Sequence, residues 1–306
     1  MNDLVIIGAG PAGLTAAIYA LRAGVEVTIC ESEMYGGQAS IIDKLENYPG
    51  FESISGIDFS TKIYQQVEKL GAKFIFSKVI KVCLTEKKKV LYLSNGEILE
   101  SKAVIIANGL KRRVLGCPGE QEYTGRGVSY CATCDGAFFK SKNIVVVGGG
   151  NTAVQDALYL SNICNNIKII VRKDKLRAEK FLINILNKKP NIEIIFNTNI
   201  TEIIGENNIV NKIRIKTNVN NNITEKILDI DGIFIAVGYE PNCEMFRNQI
   251  SMTEAGYFVS DESCETNIPG VFVAGDCRTK PLRQIATAIA DGAIAGNKSA
   301  DFICYS

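Results

Sequence analysis

An α/β fold built from two Rossmann-like dinucleotide-binding units is predicted for this chain of 306 residues. Three observations carry the prediction. A strand, a G-x-G-x-x-G turn and a helix open the chain around Gly8–Gly13. The same order returns as G-x-G-x-x-A at Gly148–Ala153, so that Gly8 and Gly148 begin matching units, an internal duplication of a whole domain. Between them stands one close cysteine pair, Cys131 and Cys134. The length fits two domains of roughly 150 residues each.

In the first unit, Leu4–Ile7 reads as a short apolar strand and Leu14–Ala23 as a helix stopped by Gly24. The strand Val25–Cys30 follows and ends at Glu31. The interval from Gly13 to Glu31 suits a carboxylate that accepts from a ribose hydroxyl. Gly8, Gly10 and Gly13 let backbone N–H groups approach a pyrophosphate at the helix N-terminus, where Pro11 and Ala12 sit. Gly36-Gly37-Gln38 and Asn47-Tyr48-Pro49-Gly50 read as loops, and Phe59–Leu70 as a helix. Apolar–polar alternation from Phe74 to Ile106, broken at Asn95-Gly96, predicts a β-meander. Lys87-Lys88-Lys89 within it is read as a solvated turn. The meander closes on Ala107-Asn108-Gly109, and Arg112–Glu120 reads as a linker.

The second unit repeats strand (Asn143–Val147), glycine turn, helix (Ala153–Ser161) and strand (Asn166–Val171). A β-rich stretch from Ile192 to Ile235 follows, with a polar turn at Asn218–Asn222. Here Val171, at the same offset from Ala153 as Glu31 from Gly13, replaces the carboxylate, and Arg172, Lys173 and Arg177 come next. An acid would repel a 2′-phosphate and a basic cluster attracts it, so this unit is expected to bind NADP(H). Near the C-terminus a buried strand ends in Gly275-Asp276, and Arg283-Gln284-Ile285 leads into a helix of small residues.

Composition narrows the chemistry. A net charge of +1 gives no field for nucleic acid or acidic membrane, and no apolar run reaches the ~18–20 residues of a spanning helix. The N-terminus enters a strand at once, with no secretory signal, so a cytoplasmic location is expected. The chain has no histidine, which excludes Ser-His and Cys-His nucleophiles and any histidine ligand or base. Eight cysteines are scattered singly and are expected to be small buried hydrophobes; with only one close pair, no zinc site is expected and no metal is assigned. Placed between two dinucleotide turns, the pair Cys131 and Cys134 is expected to be a redox dithiol with Asp135 as the adjacent acid/base, the competing reading of an inert structural disulfide being disfavoured by a reducing compartment.

GAGPAG at 8–13, GGQ at 36–38, CATCDG at 131–136, GGGNTA at 148–153, VRKDKLRAEK at 171–180 and GVFVAGD at 270–276 together resemble the bacterial low-molecular-weight thioredoxin reductases, nearly end to end. The resemblance implies two three-layer (ββα) domains, the second inserted in the first: an FAD domain of 1–113 plus 241–306 and an NADPH domain of 114–240. It implies FAD at Gly8, Gly10, Pro11, Ala12, Gly13, Glu31, Gly37, Gln38, Asn47, Ala107, Gly109, Gly275, Asp276, Arg283, Gln284 and Ile285. It implies NADPH at Gly148, Gly150, Asn151, Thr152, Ala153, Arg172, Lys173 and Arg177. Cys134 would face the flavin and Cys131 would attack the disulfide of a thioredoxin or thioredoxin-like partner; the enzyme would be a homodimer whose NADPH domain rotates. Two segments depart from the family pattern: Val171-Arg172-Lys173 stands for His-Arg-Arg, implying a weaker preference for NADPH, and Asn108 stands for threonine. Other readings stay open: a reductase fed by ferredoxin, the flavoprotein module of a peroxiredoxin system, and a non-catalytic FAD-binding redox sensor.

Overall fold

Residues 1–42 and 44–305 are described by a computed structural model. The chain begins β1 (Asn2–Ile7), α1 (Pro11–Arg22), β2 (Val27–Glu31), α2 (Gly56–Lys69), β3 (Lys73–Phe76), β4 (Val79–Cys83), β5 (Lys89–Leu93), β6 (Ile98–Ile106) and β7 (Leu110–Arg112). It continues β8 (Val128–Ser129), α3 (Ala132–Asp135), β9 (Asn143–Val147), α4 (Asn151–Leu160), β10 (Asn166–Ile170), α5 (Lys180–Leu186) and β11 (Ile192–Ile195). It ends β12 (Thr198–Glu206), β13 (Ile209–Val219), β14 (Asn222–Asp229), β15 (Gly232–Ile235), β16 (Tyr239–Pro241), β17 (Val271–Val273) and α6 (Ile285–Tyr305). Contacts divide it into two units, Met1–Lys111 with Glu240–Ser306, and Arg112–Tyr239. Among the described residues no helix is long and apolar enough to cross a membrane.

The first unit is organised by a seven-stranded sheet in the order β3-β2-β1-β6-β5-β4, with β17 also on β6. β1, β2, β3, β6 and β17 run parallel, whereas β4 and β5 are antiparallel. Strand alternation separates two cores. Leu4, Ile6 and Ile105 face α1 and α6, while Val5, Ile7 and Ile106 face a layer holding Leu91, Phe246 and Phe258. The layers are therefore helix, parallel sheet and antiparallel β-structure. Pro11 starts α1 at a position where its missing N–H is no loss, and Ser55 caps α2 by accepting from Asp58 N at 3.1 Å. α6 lies so close to α1 that a Cβ on Gly292 or Gly296 would stand 2.3 Å from Ala12 O or 2.4 Å from Ala16 O.

The second unit repeats these layers. Its sheet, β11-β10-β9-β15-β8, is parallel throughout. Ile144, Val146 and Ile169 meet α4 and α5, and Val145, Val147 and Ile170 meet the antiparallel β12-β13-β14 sheet. The fifth parallel strand is β17 in the first unit, the last strand of the chain, but β8 in the second, the first strand of its unit.

Three expectations need correction. β3 is not part of a meander: it pairs parallel with β2 (Ile29↔Phe74), because α2 carries the chain over the sheet between them. Lys89 is buried, not a turn residue; its ammonium donates to Leu84 O (2.9 Å) and Glu86 O (2.8 Å). Of the eight single cysteines five are buried, but Cys83 and Cys117 are half-buried and Cys304 is exposed.

Candidate functional site

Within the first unit, four sequence-distant segments meet around the N-terminus of α1. Gly8 adopts a φ of +103°, and a Cβ there would lie 2.5 Å from Ala107 O, which seats the 107–109 turn against the fingerprint. Gly37 comes next to Gly10, since a Cβ on it would be 3.5 Å from Gly10 Cα; Gly36 N donates to Ala9 O at 2.8 Å. Gly275 abuts Ala12, and Gly13 leaves no room for a side chain, its Cβ falling 2.0 Å from Gly8 O. Gly10, by contrast, has open space, and α1 has no side-chain N-cap. Uncapped N–H groups facing free space fit a pyrophosphate.

Charged and polar partners ring this turn. Glu31 accepts from Ala9 N (2.8 Å), Ser32 N (2.7 Å) and Glu33 N (3.0 Å), which fixes the carboxylate at the end of β2. Asp276 holds a buried Oδ1 with no hydrogen-bond partner, and burial raises its carboxyl pKa against the pull of Lys280 and Arg283. An orphaned carboxylate oxygen beside a dinucleotide turn fits a hydroxyl-bearing ligand such as the ribityl chain of FAD. Arg283 donates to Asp276 O at 3.2 Å and stacks on Tyr257 at 4.1 Å. Asn47 donates to Gln284 Oε1 at 3.0 Å across 237 positions of sequence, and Gln38 donates to Leu110 O at 3.3 Å. Ile285 begins α6, and Asn108 donates to Asn242 O at 2.5 Å.

Asp291, on α6, escaped the sequence reading. Asp291 accepts from Gly275 N (2.9 Å), Arg278 Nε (2.9 Å) and Nη2 (2.7 Å), and Lys280 Nζ (2.6 Å). Burial opposes its charge, but the hydrogen bonds from Arg278 and Lys280 hold its pKa below the usual value. Asp291 therefore anchors the Gly275-Asp276 turn from inside α6, where its position in a small-residue helix gave no signal.

In the second unit a cleft of about 300 Å³ is lined by Gly148, Gly150, Thr152, Arg172, Lys173 and Arg177. Gly148 repeats the Gly8 contact: a Cβ on it would lie 2.2 Å from Ala236 O. Gly150 is open and leaves α4 without a side-chain cap. Ala153 is buried beneath, while Asn151 exchanges two hydrogen bonds with Glu179 (2.8 and 3.0 Å) rather than facing the cleft. Lys175, in the same basic run, also lines the cleft and was missed.

The disulfide Cys131–Cys134 is formed, at the start of α3 in this second unit. Cys131 is the N-cap: its sulfur accepts from Cys134 N at 3.2 Å and lies 3.4 Å from Thr133 Oγ1. Donors of this kind stabilise a thiolate. Ser129, buried on β8, donates to Asp135 Oδ2 at 2.7 Å. Tyr130, the residue before Cys131, donates to Glu120 Oε1 at 2.8 Å, and burial together with that bond pushes its hydroxyl up to about 12. Glu120 is itself buried and also takes Leu115 N and Gly116 N, so the expected linker is an ordered support for the redox turn.

The profile of the family described as Pyridine nucleotide-disulphide oxidoreductase matches residues 2–292. A thioredoxin reductase of Listeria innocua is 42% identical, covering 98% of this chain and 93% of its own length. A 34.2 kDa protein in the rubredoxin operon of Clostridium pasteurianum is 43% identical, covering 98% and 97%. The crystal structure of Lactococcus lactis thioredoxin reductase superposes with a TM-score of 0.89 at 38% identity, covering all of both chains.

Proposed function

The chain belongs to the pyridine nucleotide-disulphide oxidoreductase family, and from that premise we propose that it is an NADPH-dependent flavoenzyme reducing the disulfide of thioredoxin or a thioredoxin-like protein. The observation that carries the reading is the formed Cys131–Cys134 disulfide in the same unit as a basic nucleotide cleft. FAD, when bound, would supply the redox chemistry linking NADPH to that disulfide. The first unit is the FAD domain. Gly10 and the N-terminus of α1 would receive the pyrophosphate, Glu31 the adenosine ribose and Asp276 the ribityl chain. The second unit is the NADPH domain, where Arg172, Lys173, Lys175 and Arg177 line the cleft and would hold the 2′-phosphate.

Cys134 takes the electron pair, and Cys131 becomes the thiolate that attacks the partner disulfide. The Cys134 N–H and the Thr133 hydroxyl lower the cost of charge on the Cys131 sulfur. Asp135 supplies and removes the accompanying proton. Eight unpaired cysteines among the described residues suit a reducing cytoplasm, and we place the protein there as a homodimer, which sedimentation at micromolar concentration tests. The ferredoxin-fed and non-catalytic readings are not favoured, since the relatives are reductases and the basic cleft is retained.

The test is anaerobic: flavin absorbance is followed as NADPH, NADH or reduced ferredoxin is added to the purified protein. Bleaching by NADPH, with recovery on adding oxidised thioredoxin, is the expected result. Bleaching by ferredoxin alone would overturn the donor assignment.

A further inference from the structure

We infer that the Ser129 hydroxyl is a positioning residue for thiol–disulfide exchange, acting through Asp135. The inference rests on the reading of Asp135 as the acid/base of that exchange. Ser129 is 4% exposed and closes the parallel sheet, where it is the register partner of Phe234 on β15, so its hydroxyl sits on a rigid element. Three partners surround its oxygen. Asp135 Oδ2 lies at 2.7 Å, Cys131 N donates to it at 3.1 Å, and Cys131 O is a second acceptor at 3.3 Å. A serine hydroxyl has one proton to give. With Asp135 ionised, the shorter, charge-assisted bond to Oδ2 takes that proton. With Asp135 protonated the bond loses its charge, and Cys131 O becomes the competing acceptor. One hydroxyl thus orients the charged Asp135 carboxylate while its oxygen accepts from Cys131 N, tying the acid/base to the backbone of the attacking cysteine.

The Cys131 thiolate attacks the partner disulfide, forms a mixed disulfide and expels a partner thiolate. Cys134, giving its proton to Asp135, then attacks Cys131, re-forms the Cys131–Cys134 bond and expels the second thiolate. Asp135 delivers its proton to that leaving sulfur, and solvent supplies the other. The enzyme dithiol is oxidised and the partner disulfide reduced by the same electron pair. On the acid/base reading of Asp135, a carboxylate released from the Ser129 hydroxyl slows these proton steps and leaves the electron supply untouched.

The experiment is a double-mutant cycle on the holoenzyme, with Ser129→Ala, Asp135→Asn and both together. Turnover is measured with oxidised thioredoxin and, in parallel, with a small aromatic disulfide as acceptor. Flavin bleaching by NADPH is recorded for each variant as the half-reaction that needs no cysteine. Ser129→Ala is expected to lower turnover about tenfold, the equivalent of one charge-assisted hydrogen bond, with bleaching unchanged. In the Asp135→Asn background it is expected to add less than twofold. Ser129→Thr, which keeps the hydroxyl, is expected to stay within threefold of wild type. Unchanged turnover in Ser129→Ala, a full tenfold loss added to Asp135→Asn, or a threonine variant as slow as alanine would each overturn the inference. Wild-type turnover in Asp135→Asn would instead overturn the acid/base reading beneath it. Turnover with the small disulfide but not with thioredoxin would overturn only the partner assignment, and the cycle would still be read on the small acceptor.

Discussion

Asp156 lies on α4 beside a cavity of about 20 Å³ whose lining includes Arg112, Tyr130 and Tyr239. Burial pushes its carboxyl up to about 6, with Arg112 pulling the other way. The folded value exceeds the unfolded one, so the native state binds the extra proton between about pH 4 and 6. Its stabilising contribution is therefore complete below pH 4, falls as pH rises to 6 and stays lost above. Asp156→Asn should raise stability at pH 7 by ~2 kcal/mol after allowance for partial exposure, and flatten the slope between pH 4 and 6. Urea melts of the holoprotein at pH 4.5 and 7 measure this; a variant weaker at pH 7 would mean that pairing with Arg112 outweighs burial. At the redox pair, Cys134→Ser should leave NADPH bleaching of the flavin intact and abolish thioredoxin reduction. At the basic cleft, Arg172→Ala with Arg177→Ala should raise KM for NADPH at least tenfold while moving that for NADH less than threefold. Equal changes for both nucleotides would argue against the 2′-phosphate assignment.

Among elements, the crossing of α1 and α6 shows how much depends on a missing side chain. Alanine at Gly292 would gain up to ~1 kcal/mol of helix propensity. Its Cβ, however, would stand 2.3 Å from Ala12 O, and forcing such helices apart costs about 1–3 kcal/mol or more. Overpacking wins, so Gly292→Ala should lower Tm by several degrees and, because α1 carries the dinucleotide turn, weaken FAD retention on gel filtration. This crossing also marks where sequence reading ends. The fingerprints at Gly8 and Gly148 were legible because turn, helix and strand are local and each glycine has a steric reason nearby in the chain. Asp291 was not, since its partners Gly275, Arg278 and Lys280 meet it only after α6 folds back. Lys89 was misread because a charged triplet says nothing of which ammonium will satisfy buried carbonyls. The strand Lys73–Phe76 alternates like its neighbours, and only the helix before it turns its pairing parallel.

For the molecule as a whole, duplication left two units with the same layers but different chain order. The first unit completes its parallel sheet with β17, after the whole of the second has passed. A fragment ending at Gly270 should therefore retain a protease-resistant second unit and bind no flavin, whereas a fragment spanning 112–239 should fold alone, as circular dichroism and limited proteolysis would read. Recovery of a flavin-binding fragment that stops short of β17 would contradict this. The same arrangement bears on how the protein is made. As the chain leaves the ribosome, residues 112–239 emerge with every strand of their sheet in hand, while the segment before them must wait for the C-terminal one. During that wait the apolar edge of β6 and the small-residue face of α1 stay uncovered, and the nascent chain is at its most dependent on chaperones until the C-terminal helix is released.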